Sequence, residues 1–205
     1  MKKFFFLTVA FFALVSFCCT SCSKSLDKLL NDDNDKTESS KGTDYTNTSK
    51  FSMVDMGTGV KWATMNLGAS KSSEYGSYYN FSSALSGSLS DLSSGLSGTW
   101  RLPTKDDWKK LMDNSKITWV TINGVKGARV ESNKNHNVLF FPAAGLKDIY
   151  GTMNVGEWGC YWSSSFNTSN GTDDYAWGAK FQQVAVGIDS FHATKQALSI
   201  RVICS

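Results

Sequence analysis

The sequence predicts an α+β domain of mostly short antiparallel strands with one or two helices, preceded by an export leader and a polar tether. Three observations lead there. From residue 51 onward no long helical period appears, and short apolar segments alternate with turn signals instead. All seven tryptophans and six of the seven tyrosines fall in the 155 residues 51–205, a normal size for one domain with a real core. Hydrophobic residues make up 41% and prolines number two, which excludes a disordered or collagen-like chain.

The elements follow in chain order. Lys2 and Lys3 precede a 14-residue apolar run at 4–17, shorter than the ~20 residues a membrane span needs. A basic start and a short apolar run read as a leader, assigned to residues 1–21. Ser21 places a small residue directly before Cys22, which resembles a bacterial lipoprotein processing site. That resemblance implies that Cys22 carries the lipid and that the membrane, in Gram-negative type the outer membrane, is a partner through it. The alternative is ordinary signal cleavage and a secreted protein. Residues 22–50 are charged and rich in Ser, Thr and Asn, and Tyr45 is their only aromatic. Such a stretch buries too little apolar surface to offset chain entropy, so the lipidated N-terminus is expected to continue as a disordered tether.

In the domain, VKWATMNL (60–67) alternates as an early strand. Leucines 85, 89, 92 and 96 have helical spacing over 82–96, interrupted by Gly87 and Gly95. Thr104 followed by Asp107 forms a capping-box start, and Trp108, Leu111 and Met112 then lie on one helix face. ITWVTI and VKGARV flank Asn123-Gly124, a type I′ hairpin signal. NVLFFPAAG (137–145) reads as a buried strand stopped by Pro142. CYWSSSF (160–166) and YAWGAKFQ (175–182) alternate around a polar loop, and LSIRVI (198–203) reads as the closing strand.

Five motifs stand in order: VKWATMNLGA, YGSYYNF, WRLPTKDDWKKL, FFPAAG with GCYWSSS, and LSIRVI. Together they resemble the Fibrobacter succinogenes major paralogous domain, over roughly all of 51–205. That family in turn looks like the C-type lectin-like fold. The resemblance implies a small sheet whose terminal strands, 60–67 and 198–203, pair side by side. It fixes fold better than function. The acidic-Pro-Asn and Trp-Asn-Asp tripeptides by which sugar-binding lectins hold calcium are absent, so calcium-dependent sugar binding loses its usual ligands. Formylglycine-generating enzymes share the superfamily, but their cysteine motif is not recognisable around Cys160 or Cys204.

Cys160 and Cys204 are able to pair in an oxidising compartment if their strands are neighbours, the alternative being two buried thiols. Ser163, Ser164 and Ser165 with His136 or His192 lack a nucleophile elbow and an orienting acid, so no catalytic role is assigned. No metal-ligand spacing or cofactor loop occurs, and no cofactor is assigned. The domain's 14 basic and 12 acidic residues are well mixed, which offers nucleic acid no basic patch. Trp62, Trp100, Trp108, Trp119, Trp162, Arg101 and Arg201 read as structural core. The segments 166–175 and 184–192 read as exposed turns carrying amides, carboxylates and aromatics. Asn167, Asn170, Asp173, Asp174, Tyr175 and Trp177 are the candidate residues for a glycan or surface-protein ligand, by stacking and multiple hydrogen bonds. A non-catalytic binding or adhesion module is the expected function, a structural component of a surface assembly the alternative.

Overall fold

The computed structural model describes residues 41–86, 100–169 and 171–205. The leader, Cys22, Asn170 and the glycine-interrupted part of the weak helix lie outside the described residues. Among the described residues no helix is long and apolar enough to cross a membrane.

The chain runs β1 (Met53–Asp55), β2 (Lys61–Ala63), β3 (Tyr79–Asn80), α1 (Phe81–Ser86), β4 (Trp100–Arg101), α2 (Lys105–Asp113), β5 (Ser115–Ile122), β6 (Val125–Ser132) and β7 (Val138–Pro142). It continues through β8 (Leu146–Asp148), β9 (Gly151–Met153), β10 (Gly159–Phe166), β11 (Tyr175–Phe181), β12 (Val186–His192), β13 (Ala197–Leu198) and β14 (Ile203–Cys204). These strands form four antiparallel sheets, ordered β1-β2-β14-β4, β3-β13-β8-β9, β5-β6-β7 and β10-β11-β12. The architecture is α+β and mostly antiparallel, and the first and last segments meet: Trp62 lies opposite Ile203, and Lys61 opposite Cys204.

Local chemistry explains the regular parts. Asn123 and Gly124 both take positive φ, 51° and 79°, as a type I′ turn demands. The β5–β6 ladder is then unbroken from Ile122↔Val125 to Ser115↔Ser132. At α2 the Thr104 hydroxyl accepts from the Asp107 N–H while the Asp107 carboxylate accepts from the Thr104 N–H, a complete capping box. Gly178 is dictated by crowding: a Cβ there would sit 2.5 Å from the Tyr161 carbonyl oxygen and 2.9 Å from the Phe191 ring.

Two hydrophobic clusters share β10, whose side chains alternate between them. Tyr161 packs with Trp62, Trp108, Leu111, Phe141 and Phe181. Cys160 and Trp162 pack on the other side with Phe81, Leu102, Phe191 and Val202. The polar edges of the buried aromatics are satisfied. Trp108 Nε1 donates to the Trp162 carbonyl at 3.1 Å, Trp162 Nε1 to the Tyr79 carbonyl at 2.7 Å, and Tyr161 Oη to the Pro142 carbonyl at 2.7 Å.

The structure refines the sequence reading in several places. Part of the stretch read as tether packs on the domain. Residues 43–48 form a strap: Tyr45 N–H donates to the Val138 carbonyl at 2.9 Å, Thr48 N–H to Ser72 Oγ at 3.0 Å, and Asn123 Nδ2 to Asn47 Oδ1 at 2.9 Å. The polar residues that suggested a free tether satisfy this strap instead of core. The closing strand is broken between Leu198 and Ile203, where Ser199 bridges Tyr161 in parallel and Arg201 is buried.

The two cysteines are both buried and unbonded, the alternative that the sequence left open. The closing segment touches β10 at Ser199, but Cys160 sits opposite Lys180 in one sheet and Cys204 opposite Lys61 and Trp100 in another, so β14 does not pair with β10. Finally, Trp62, Trp108, Trp162 and Arg201 are wholly buried, but Trp100, Arg101 and Trp119 are only half-buried. Trp100 rests against Phe51 at the sheet rim and Arg101 turns out to Asp107, 2.7 Å away.

Arg201 is the least replaceable of these. Its Nε donates to Asn66 Oδ1 at 3.0 Å, Nη1 to the Ala63 carbonyl at 3.0 Å and Nη2 to the Phe140 carbonyl at 2.8 Å. Arg201→Met keeps the volume and leaves three buried acceptors unpaired, so a loss of about 3–5 kcal/mol is expected in urea unfolding. Arg201→Lys is expected to recover only part of it, because a point-like ammonium cannot span the same fork.

Candidate functional site

The β10-β11-β12 sheet decides where the predicted ligand residues point. The segment 186–192, read as exposed turn, is strand β12 and pairs with β11 along its whole length, from Tyr175↔His192 to Phe181↔Val186. Its Gly187, Asp189 and Ser190 dilute the apolar alternation that marks a strand in sequence. Because side chains alternate, Tyr175, Trp177, Ala179 and Phe181 share a face with their partners His192, Ser190, Ile188 and Val186.

Helix α2 covers part of that face. Trp108 lies 5.7 Å from the Tyr161 ring and 6.1 Å from the Phe181 ring, and Ala179 and Phe181 are wholly buried. The Tyr175–Trp177 end remains half-exposed. There the Tyr175 and His192 rings meet at 5.0 Å, tilted by 46°, and Lys105 Nζ stands 3.7 Å over the Trp177 ring. The result is a strip of two aromatic rings, an imidazole and an ammonium. Stacking and hydrogen-bond donation are what it offers chemically.

The serine run fixes this geometry. Ser163 Oγ donates to the Trp177 carbonyl at 2.7 Å, and Ser165 Oγ accepts the Lys105 N–H at 3.0 Å. The Ser164 N–H donates to the Pro103 carbonyl at 2.8 Å. These groups fasten the start of α2 to β10. His136 lies elsewhere, beside Glu131 at 3.4 Å.

The remaining candidates divide. Asn167 is spent internally: its Nδ2 donates to Ser190 Oγ at 2.8 Å, and its Oδ1 accepts from the Ser169 hydroxyl at 2.6 Å and the Ser169 N–H at 3.2 Å. Asp173 and Asp174 are exposed on the loop before Tyr175, and the Asp174 carbonyl accepts from the Ala193 N–H at 2.8 Å. Lys105 and Ser190 were not among the sequence candidates, and His192 was considered only as a partner for the serine run. Reading 186–192 as the return strand of a hairpin would have placed His192 and Ser190 opposite Tyr175 and Trp177. Lys105 arrives through tertiary packing and carries no local signal.

Other chemistry is quiet. Burial pushes the Cys160 thiol up to about 12, so it is no thiolate nucleophile at neutral pH. Among the described residues no three His, Cys, Asp or Glu side chains gather as a metal site requires. An open cleft of about 550 Å³ lies between the loop at 71–75 and the tip of the β5–β6 hairpin, lined by Lys71, Ser73, Glu74, Tyr75, Asn123 and Val125. Sequence reading did not assemble it, because its two walls are some fifty residues apart in the chain.

Lys105 is held by the cap that follows it. Burial alone would raise the Asp107 carboxyl, but the Arg101 guanidinium at 2.7 Å and the Thr104 N–H and hydroxyl outweigh it and hold it below the usual carboxylate range. A carboxyl depressed in the folded state adds stability above its unfolded pKa, and that increment disappears as pH falls through the folded value. Asp107→Asn is therefore expected to cost about 0.5–2 kcal/mol at neutral pH. The gap between variant and wild type should close as urea midpoints are followed down below the ordinary carboxylate range of ~4.

Comparison with known families gives one match: residues 113–203 fit the model of a domain of unknown function, DUF8237. No curated protein and no solved structure matches the chain.

Proposed function

We propose that the protein is a lipid-anchored, exported binding or adhesion module, with a non-catalytic domain of C-type lectin-like fold that recognises a glycan or a protein on a neighbouring surface. The lipidated residue in this reading is Cys22 and the membrane the outer membrane. Support for the anchor is the order of leader, small residue and cysteine in the sequence. Support for the fold is the motif series WRLPT, FFPAAG and YWSSS together with the pairing of β2 with β14. The observation that carries the binding role is the strip of Tyr175, His192, Trp177 and Lys105, left half-exposed beside a helix that covers Ala179 and Phe181 of the same sheet face.

A second reading, a structural component of a surface assembly, is favoured by other residues. Tyr150 and Ile149 are 87% and 76% exposed at the β8–β9 turn, and Val184 is 93% exposed at the β11–β12 turn. Apolar tips of that kind suit contact with a protein partner better than with a sugar.

Two experiments bear on this. A glycan array and a pull-down against surface proteins, run with the full chain, are expected to give a partner whose binding falls at least tenfold in Trp177→Ala and Tyr175→Ala without a change in melting temperature. Silence in both assays would overturn the binding role. For the anchor, Cys22→Ala is expected to move the protein from the membrane to the soluble fraction. A variant that stays in the membrane with no lipid mass on any cysteine would sink it.

A further inference from the structure

We propose that the cleft between the 71–75 loop and the β5–β6 hairpin tip is a second, separate binding site, and that its ligand is a neutral, hydroxyl-rich molecule of saccharide type. The lining has the composition such ligands require. The half-buried Tyr75 ring and Val125 supply apolar surface for the C–H face of a pyranose, while Lys71, Ser73, Glu74 and Asn123 supply donors and acceptors around it. Those polar groups are not consumed by the fold. Among the described residues, the Lys71 ammonium, the Ser73 and Tyr75 hydroxyls and Asn123 Oδ1 make no hydrogen bond.

The charges select the ligand class. Glu74 is kept ionised, its carboxyl lowered first by the Ser70 N–H at 2.8 Å and then by the Ser70 hydroxyl at 2.9 Å. Its negative charge faces the positive charge of Lys71 in one small cleft. A polyanion would meet Glu74 and a polycation would meet Lys71, so an uncharged ligand with many hydroxyls is the best match.

The cleft is also built to keep its shape. Asn66 Nδ2 donates to the Tyr75 carbonyl at 2.9 Å from the buried side, and the Ser77 N–H closes the loop on the Leu67 carbonyl at 3.0 Å. The strap supports the opposite edges. Asn47 holds Asn123, and Ser72 is held by the Thr46 carbonyl at 2.8 Å and the Thr48 N–H at 3.0 Å. Preformed walls reduce the ordering cost that a weak, polar ligand would otherwise carry.

The test is isothermal titration of the detergent-solubilised full chain with maltose, cellobiose, lactose and chitobiose, with glucuronate and glucosamine as charged controls. At least one neutral disaccharide is expected to bind saturably and more tightly than either charged sugar. Tyr75→Ala is expected to weaken it at least tenfold, and Lys71→Ala, an exposed position that leaves the fold untouched, to weaken it severalfold. Trp177→Ala should leave this binding unchanged. Binding lost in Trp177→Ala but kept in Tyr75→Ala and Lys71→Ala would overturn the cleft and leave the aromatic strip standing. No saturable binding of any neutral disaccharide, or tighter binding of a charged one, would overturn the cleft whatever the strip does.

Discussion

A guanidinium buried with no carboxylate beside it is the constraint on which the rest of this structure depends. Every hydrogen bond from Arg201 goes to a neutral oxygen, those of Asn66, Ala63 and Phe140, and its charge also rests 4.5 Å from the Phe141 ring centroid. Burial lowers its pKa to about 10, so it remains a cation at neutral pH. Removing such a charge from water is costly, and the cost is offset only while all of these partners are in place. The residue therefore acts as a fit gauge. It accepts one arrangement of β2, the loop after it, and β7, and it breaks the closing strand to do so.

The consequences extend outward through Asn66. One end of that amide accepts from Arg201 and the other donates to the Tyr75 carbonyl, so the buried charge sets the backbone of the cleft wall. The same Asn66 nitrogen lies 3.5 Å from the Tyr161 hydroxyl, which is bonded to the Pro142 carbonyl at 2.7 Å. Burial raises that phenol to about 12, so it stays a neutral donor at neutral pH. Tyr161 in turn packs on Trp108, the residue directly after the Asp107 cap, and α2 carries Lys105 to Trp177. The two surface features proposed for binding thus hang from opposite ends of one buried polar and aromatic cluster. Rigid supports of this kind are what hold side chains on loops and strand ends in place.

How much of this was legible follows from the range of the forces involved. The Asn123-Gly124 turn, the Thr104–Asp107 cap and the buried run 138–142 are local: sterics, a short hydrogen-bond cycle and burial write them into adjacent residues. Tyr175 and Trp177 were legible as surface aromatics for the same reason. Strand β12 was not, because its stability comes from pairing with β11 and not from its own Gly, Asp and Ser content. The strap 43–48 reads as tether because polar side chains closing turns look like polar side chains in solvent. The reach of Lys105 over Trp177 and the meeting of Glu74 with Asn123 are products of tertiary placement alone. Arg201 was legible as core, but its acceptors, two of them backbone carbonyls on distant strands, have no sequence signature at all.

The charge distribution narrows how such a surface can recognise anything. With Lys2 and Lys3 set aside, the chain is within about one charge of neutral, and some of its charged side chains pair at short range: Lys109 with Asp113, Arg129 with Glu131, Lys180 with Asp189. A net charge this small, screened over about a Debye length, ~8 Å at physiological salt, gives little long-range pull on a charged partner. Discrimination must then come from contact: ring faces, amides and hydroxyls at van der Waals and hydrogen-bond distance. In the proposed reading, a module anchored at a membrane would rely on contact alone. Such an anchor would hold it close to whatever shares that surface, and weak individual contacts would gain from the raised effective concentration.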